Sequence, residues 1–212
     1  ISLDALPRIN ELLKSVYSHY PVGYWQYKEF YLGYKKMEEI VNHKLNFECN
    51  DSSSPPNVFA FSLRNRLADM SIENRNYLNY PNYNYVIHVS KSSIGQVEQR
   101  HSIEVCISLL CNYYTMYIVN EYALKKTGND SAEYYPATFA TYSFSDNRED
   151  TDTAVLKVVQ DLLFEHFPQK EFVKHSTLMS HKITSVFPFR QDVYFGTDKT
   201  HFSLFDLLFN FN

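Results

Sequence analysis

Apolar and polar residues alternate one by one over residues 102–109, and no other pattern constrains the fold of this chain as strongly. Successive side chains of a β-strand point to opposite faces, so a period of two is typical of a strand with one buried face. The next run, residues 113–122, is rich in aromatic and β-branched residues, which favour strands. Together the two runs predict a hairpin that turns around Cys111 and Asn112.

Segments on both sides of this hairpin predict an α+β fold. Strands over residues 85–90 and 138–145 would complete an antiparallel meander of about four strands. Residues 152–167 carry apolar side chains at helical spacing after a run of acids, which predicts a long helix. Helices are also predicted up to Tyr20 and over residues 26–44. We therefore expect N-terminal helices followed by an antiparallel sheet, with one long amphipathic helix packed on it.

The chain of 212 residues is expected to form a single α+β domain over its whole length, 1–212. Residues 50–57, Asn-Asp-Ser-Ser-Ser-Pro-Pro-Asn, are turn formers and predict a flexible internal loop. The apolar run 58–63 suggests a short strand, and residues 62–70 fit helix or loop equally well. Further short strands are predicted near the C-terminus over residues 172–175, 182–187, 193–195 and 202–209, the last of which also fits a short helix.

Charge and cysteine content limit the partners and the compartment. The net charge of −4 argues against nucleic acid, because phosphate binding needs clustered Lys and Arg. No stretch is long and apolar enough to cross a bilayer, so no membrane partner is expected. Three cysteines, an odd number, favour a reducing compartment, and we expect the cytoplasm. The chain begins at Ile1 rather than Met, which leaves open the removal of a preceding segment.

Motifs for catalysis and cofactor binding are missing from the sequence. The eight histidines are scattered without metal-ligand spacing, and no glycine-rich phosphate loop or Gly-x-Ser-x-Gly turn occurs. We therefore expect no cofactor, no metal and no catalytic residue. The alternative is a hydrolase-type enzyme with an unrecognised His and carboxylate site, for which His166 beside Glu165 and His201 near Asp198 are the nearest candidates.

Two segments could form a surface for a protein partner. The first is an acidic cluster, which either complements the dipole of the predicted helix at 152–167 or attracts a basic partner. The second is a Tyr/Asn-rich tract whose aromatic side chains either pack within a loop or anchor a contact. The candidate partner-binding residues are Asp146, Glu149, Asp150 and Asp152 in the cluster and Tyr77, Tyr80 and Tyr83 in the tract.

The function expected from these features is that of a non-enzymatic protein-binding protein. An immunity or antitoxin protein of the cytoplasm, which binds and blocks a toxin effector, fits the mild acidity and the aromatic loops best. Its partner would be a protein, such as a basic toxin domain.

Overall fold

The computed structural model describes residues 5–21, 31–95, 97–124, 140–145, 150–184, 186 and 201–210. The helices are α1 (Ala5–His19), α2 (Leu32–His43), α3 (Pro55–Arg66), α4 (Asp150–His166), α5 (His175–Ser180) and α6 (Leu204–Leu208). A π-helical turn, Lys44–Glu48, continues α2. The strands are β1 (Ser71–Asn74), β2 (Asn82–Ile94), β3 (Val97–Ser108), β4 (Tyr113–Leu124), β5 (Ala140–Ser145), β6 (Glu171–Phe172), β7 (Lys182–Thr184) and β8 (His201–Ser203).

The central sheet has the strand order β1-β2-β3-β4-β5, and every neighbouring pair in it is antiparallel. The predicted hairpin is confirmed as β3 and β4, and the predicted α+β class is confirmed as well. One strand differs from the expected antiparallel arrangement, because β6 pairs with the start of β4 in parallel and makes the sheet mixed. Strands β7 and β8 form a separate antiparallel pair.

Both faces of the sheet are buried, so the molecule has two hydrophobic clusters separated by the strands. On one face Val105 and Ile107 pack with buried side chains of α3 and α4, such as Phe59 and Val159. On the other face Cys106 belongs to a cluster formed with α1, α2, α5 and α6. The alternation seen in the sequence therefore does not separate a buried face from a solvent face over this part of β3.

The hydroxyl of Ser108 illustrates how the polar positions of β3 become buried. Ser108 is fully buried, and its Oγ donates to the backbone oxygen of Leu208 in α6 at 2.7 Å. The same Oγ accepts the backbone N–H of Leu110 at 3.1 Å. A small hydroxyl with partners on both sides is buried at little cost, which allows helices to cover the polar positions of the strand.

The predicted strand at residues 58–63 is wrong, because this segment lies within helix α3. Pro55 and Pro56 occupy the first turn of α3, where a missing N–H costs little, so the helix begins inside the predicted loop 50–57. Phe59 and Leu63 lie one turn apart and are fully buried. A short apolar run does not by itself distinguish a strand from a buried helix, and here the two prolines determine the helical start.

The described part of the C-terminal region differs from the predicted strands. Only Phe172 of the predicted strand 172–175 lies in a strand, at the end of β6, and α5 begins at His175. The segment 202–209 divides between β8 and α6, which begins with a capping box between Ser203 and Asp206. Residues 193–195 lie outside the described residues.

A close approach of α1 and α2 brings the N-terminal helices together. A Cβ on Gly33 would lie 2.5 Å from the backbone oxygen of His19, so only glycine fits at this position. The buried side chains Leu12, Val16 and Met37 join the same cluster as α6. The end of α1 is thereby held beside the start of α2, and α2 runs from there toward the π-helical turn.

Candidate functional site

The acidic cluster is only partly described, and its one described side chain lies in the interior. Asp152 is 1% exposed, and its Oδ1 atom lies 2.8 Å from Nε2 of His101 on β3. The other ring nitrogen of His101 lies 2.7 Å from Oδ1 of Asn120 on β4. Asp152 thus joins the start of α4 to the sheet. Asp146 and Glu149 lie outside the described residues, and Asp150 is described only as the first residue of α4.

The Tyr/Asn tract divides into an exposed part and a buried part. Tyr77 is 66% exposed and Tyr80 is half-buried, whereas Tyr83 is 5% exposed. Asn76 organises the loop: its side chain donates to the hydroxyl of Tyr85 at 2.9 Å and accepts the backbone N–H of Asn84 at 2.8 Å. Tyr83 therefore contributes to the interior of the protein, and Tyr77 is the most accessible of the three tyrosines.

The hydroxyl of Tyr83 donates to Oε2 of Glu48, at the end of the π-helical turn. Burial raises the pKa of Tyr83, and the hydrogen bond to Glu48 raises it further, so the phenol stays protonated and remains a donor. Tyr83 thus fixes the position of a carboxylate that is itself 31% exposed.

Lys44, the first residue of the π-helical turn, is fully buried. Its Nζ donates to three backbone carbonyl oxygens, those of Leu78, Tyr80 and Asn82, at 2.7, 2.8 and 3.0 Å. Burial lowers the pKa of Lys44 to about 8, against the opposing effects of Cys49 and Glu48. The ammonium therefore ties the end of α2 to the Tyr/Asn tract and is closed to solvent.

The π-helical turn places two neighbouring side chains at the surface. His43 precedes the turn, and its Nδ1 lies 3.6 Å from Oε1 of Glu48. Phe47 is 64% exposed, and its ring centroid lies 5.3 Å from that of His43. Because a π-helical turn contains an extra residue, side chains five apart come close, and such turns are frequent at functional sites. Lys44 faces inward while His43, Phe47 and Glu48 border a depression.

That depression, which we call the α2 groove, consists of two adjoining cavities that share His43 and Glu48. The first has a volume of about 420 Å³ and the second about 570 Å³. The first is lined by His19, Lys36, Glu39, Ile40, His43, Glu48 and Leu109. The second is lined by His43, Asn46, Phe47, Glu48, Asn50, Asp51, Ser53, Ser54 and Pro55.

The two ends of the α2 groove differ in charge. At one end His19 is held by a contact of 2.8 Å between Nδ1 and the backbone oxygen of Ser15, and burial lowers its pKa. Lys36 lies at this end. At the other end Asp51 accepts from the backbone N–H of Ser53 at 2.9 Å and from its hydroxyl at 2.7 Å, which lowers the pKa of Asp51. An ionised carboxylate therefore stands at the end nearer α3.

Hydrogen bonds hold the segment that borders this acidic end. The amide nitrogen of Asn57 donates to the backbone oxygens of Glu48, Cys49 and Asp51 at 3.0, 3.2 and 2.8 Å. The hydroxyl of Ser54 also donates to the oxygen of Glu48, at 2.6 Å. The wall of the groove is thus fixed by side chains within the stretch that the sequence predicts to be a flexible loop.

None of the residues that line the acidic end is among the candidates from the sequence. The sequence contains one indication that Phe47 is exposed. Phe47 falls outside the apolar stripe of α2 that includes Met37 and Val41, and an apolar residue off the stripe is expected to face solvent. No sequence pattern indicates that Glu48 and Tyr83 are in contact, since they are 35 residues apart in the chain.

The other candidates for chemistry have partners in the interior. Burial raises the pKa of Cys106, and also that of Cys111 and of Cys49, so these thiols are poor nucleophiles at neutral pH. Nε2 of His166 lies 4.0 Å from Glu165 and 3.2 Å from the hydroxyl of Ser62 on α3. Asp198, the predicted partner of His201, lies outside the described residues.

We compared the chain with protein-family models, with curated proteins and with solved structures, and none of the three comparisons finds a match. Among the described residues, no three His, Cys, Asp or Glu side chains are grouped in a way that could hold a metal ion. In the same part of the chain, no helix combines the length and the apolar character that crossing a membrane requires.

Proposed function

We propose that this protein is a non-enzymatic binding protein of the immunity or antitoxin kind, which blocks a basic toxin effector in the cytoplasm. The observation that carries the proposal is the α2 groove, where the exposed ring of Phe47 lines one cavity together with the carboxylates of Glu48 and Asp51. Aromatic side chains are enriched in protein interfaces, and a negative surface accelerates association with a positive partner.

The position of the reactive groups supports binding rather than catalysis. Lys44 is enclosed by carbonyl oxygens, and Asp152 is buried against His101. Exposed aromatic rings also occur outside the groove: Phe61 on α3 is 63% exposed and Phe164 on α4 is 78% exposed. Exposed rings of this size can serve as anchors in a protein contact.

Capture of a partner from the native organism, followed by a growth assay, tests the proposal. The tagged chain is used as bait, and each captured protein is identified and expressed alone and together with the chain. We expect one captured protein to arrest growth when expressed alone and to be neutralised by the chain. Capture of no such protein, or a captured toxin that the chain fails to neutralise, would contradict the proposal.

A second candidate is the hydrolase-type enzyme, which the 3.6 Å approach of His43 to Glu48 favours. A carboxylate that orients an imidazole beside a cavity is an arrangement used for general base catalysis of attack by water. A panel of ester, amide and phosphoester substrates tests this reading. Turnover that disappears in both His43→Gln and Glu48→Gln would establish it, and turnover unchanged in both would exclude this pair.

A further inference from the structure

The geometry points to the side chain that the α2 groove receives: we propose that its acidic end binds an arginine side chain of the partner, between Glu48, Asp51 and the ring of Phe47. This inference rests on the proposed function, because it identifies the chemistry of the partner at that site. It is argued from charge, from the exposed ring and from the rigidity of the groove wall.

The charge of the groove selects a cation. Two carboxylates, those of Glu48 and Asp51, line the acidic end, whereas the ammonium of Lys36 lies at the opposite end together with the carboxylate of Glu39. Among the described residues, the hydrogen bonds made by Asp51 use only its Oδ1 atom, so the other oxygen is available to a ligand. A phosphate or carboxylate group at this end would meet like charge, whereas a guanidinium or an ammonium would be attracted.

The exposed ring favours a guanidinium over an ammonium. Phe47 is 64% exposed and lines the same cavity as the carboxylates of Glu48 and Asp51. A guanidinium is planar and weakly hydrated; it stacks on aromatic rings and donates to carboxylates in a fixed fork. An ammonium is a strongly hydrated point charge, so it loses more hydration in such a site and gains less from the ring. The groove therefore discriminates between the two basic side chains.

The wall of the groove is already in place before a ligand binds. Tyr83 holds Glu48 from the interior, and Asn57 ties together the backbone that carries Glu48 and Asp51. A site whose ligand groups are fixed in advance loses less conformational entropy on binding. This rigidity makes measurable affinity for a single side chain a realistic expectation.

Titration of the full chain with capped tripeptides tests the inference directly. The probes are acetyl-Gly-Arg-Gly-amide, the same peptide with lysine, and the same peptide with citrulline, which is nearly isosteric with arginine but uncharged. Amide NMR shifts are recorded at low ionic strength. We expect millimolar binding of the arginine peptide with shift changes concentrated in residues 43–55, about threefold weaker binding of lysine, and about tenfold weaker binding of citrulline.

Variants of the groove residues provide a second test of the inference. Glu48→Gln and Asp51→Asn should each weaken the arginine peptide by about three- to tenfold, and Phe47→Leu by about threefold. The matched controls are Asp161→Asn and Tyr17→Leu, which change an exposed carboxylate on α4 and an exposed ring on α1, both outside the groove. Equal binding of arginine and citrulline, or equal losses in groove and control variants, would overturn the inference.

The two proposals fail separately. A toxin that the chain neutralises, and whose affinity is unchanged by Glu48→Gln and Asp51→Asn, would leave the immunity function standing and remove the arginine site from it. Selective binding of the arginine peptide without any neutralised toxin would uphold the guanidinium site and contradict the immunity function.

Discussion

Nε2 of His101 on β3 lies 2.8 Å from Oδ1 of Asp152 in the first turn of α4, 51 residues further along the chain. Asp152 is 1% exposed. Removing one partner of such a buried pair costs the other a contact that no water replaces in the interior. We expect Asp152→Ala to lower the free energy of unfolding by about 3 kcal/mol, measured by urea denaturation. Asp161→Ala, at an exposed position of the same helix, should change it by less than about 0.5 kcal/mol. Equal effects of the two substitutions would show that the contact contributes nothing.

Lys44 is expected to stabilise the junction between α2 and the Tyr/Asn tract. Lys44→Met removes the buried donor for three backbone carbonyl oxygens and should cost about 3 kcal/mol in urea denaturation. Lys35→Met, at an exposed position of α2, is the matched control and should be nearly neutral. A Lys44→Met protein as stable as the wild type would mean that the three carbonyls find other donors.

The same lysine predicts a dependence of stability on pH. Burial lowers the pKa of Lys44 to about 8, whereas an unfolded lysine titrates near about 10.4. Between these values the unfolded lysine keeps its proton while the folded one loses it, so Lys44 by itself should raise the free energy of unfolding with pH, by about 1 to 3 kcal/mol. Groups whose pKa burial raises act in the opposite direction, the thiols of Cys106 and Cys111 from about pH 8.5 and the phenols of Tyr20 and Tyr85 from about pH 10, because they lose their protons first in the unfolded chain.

Urea denaturation from pH 7 to 11 measures this profile in the wild type and in Lys44→Met. The stability of the wild type relative to the variant should increase with pH by that amount, because Lys170, whose pKa burial also lowers, and the buried thiols and phenols are common to both proteins. A difference between the two proteins that stays constant from pH 7 to 11 would show that the pKa of Lys44 is not lowered in the folded chain.

Thr115 offers a substitution that we expect to stabilise the protein. Its hydroxyl is buried in β4 and makes no hydrogen bond with the described residues. Thr115→Val keeps the shape and removes the unsatisfied group, so it should raise the free energy of unfolding by about 1 kcal/mol. Ser108→Ala is the opposing control, because its hydroxyl has partners on both sides and its loss should cost about 1 kcal/mol. A loss of stability in Thr115→Val would show that this hydroxyl is satisfied in solution.

Gly33 and Gly95 are glycines for different structural reasons, lack of space at Gly33 and a positive φ at Gly95. Gly33→Ala would place a Cβ against the backbone of His19, and it should cost more than about 2 kcal/mol, because backbone cannot move aside cheaply. Gly95 has open space around it but a φ of 59°, so Gly95→Ala should cost only about 1 kcal/mol. Thermal unfolding of the two variants measures the difference. The reverse order would mean that α1 and α2 can separate without loss.

Local patterns in the sequence were sufficient for the β3–β4 hairpin and for the existence of a helix near residues 152–167. They failed at α3, where a contiguous apolar run suggested a strand and two prolines decided otherwise. The α2 groove could not be predicted, because it depends on contacts between distant residues: Lys44 with Asn82, and Glu48 with Tyr83. Periodicity describes which face of an element is apolar, but it does not report which elements meet.

The shape of the α2 groove depends on the number of residues in the π-helical turn. A π turn is equivalent to a regular helix with one residue inserted, and each helical residue turns the chain by about 100°. Deleting a single residue between Lys44 and Glu48 would let α2 continue as an ordinary helix. His43 and Glu48 would then lie four residues apart and still share one face of the helix, whereas the segment from Cys49 onward would begin one residue earlier and reach the groove from a different position. The acidic end of the groove thus depends on one inserted residue, a change that a single in-frame codon can make or remove.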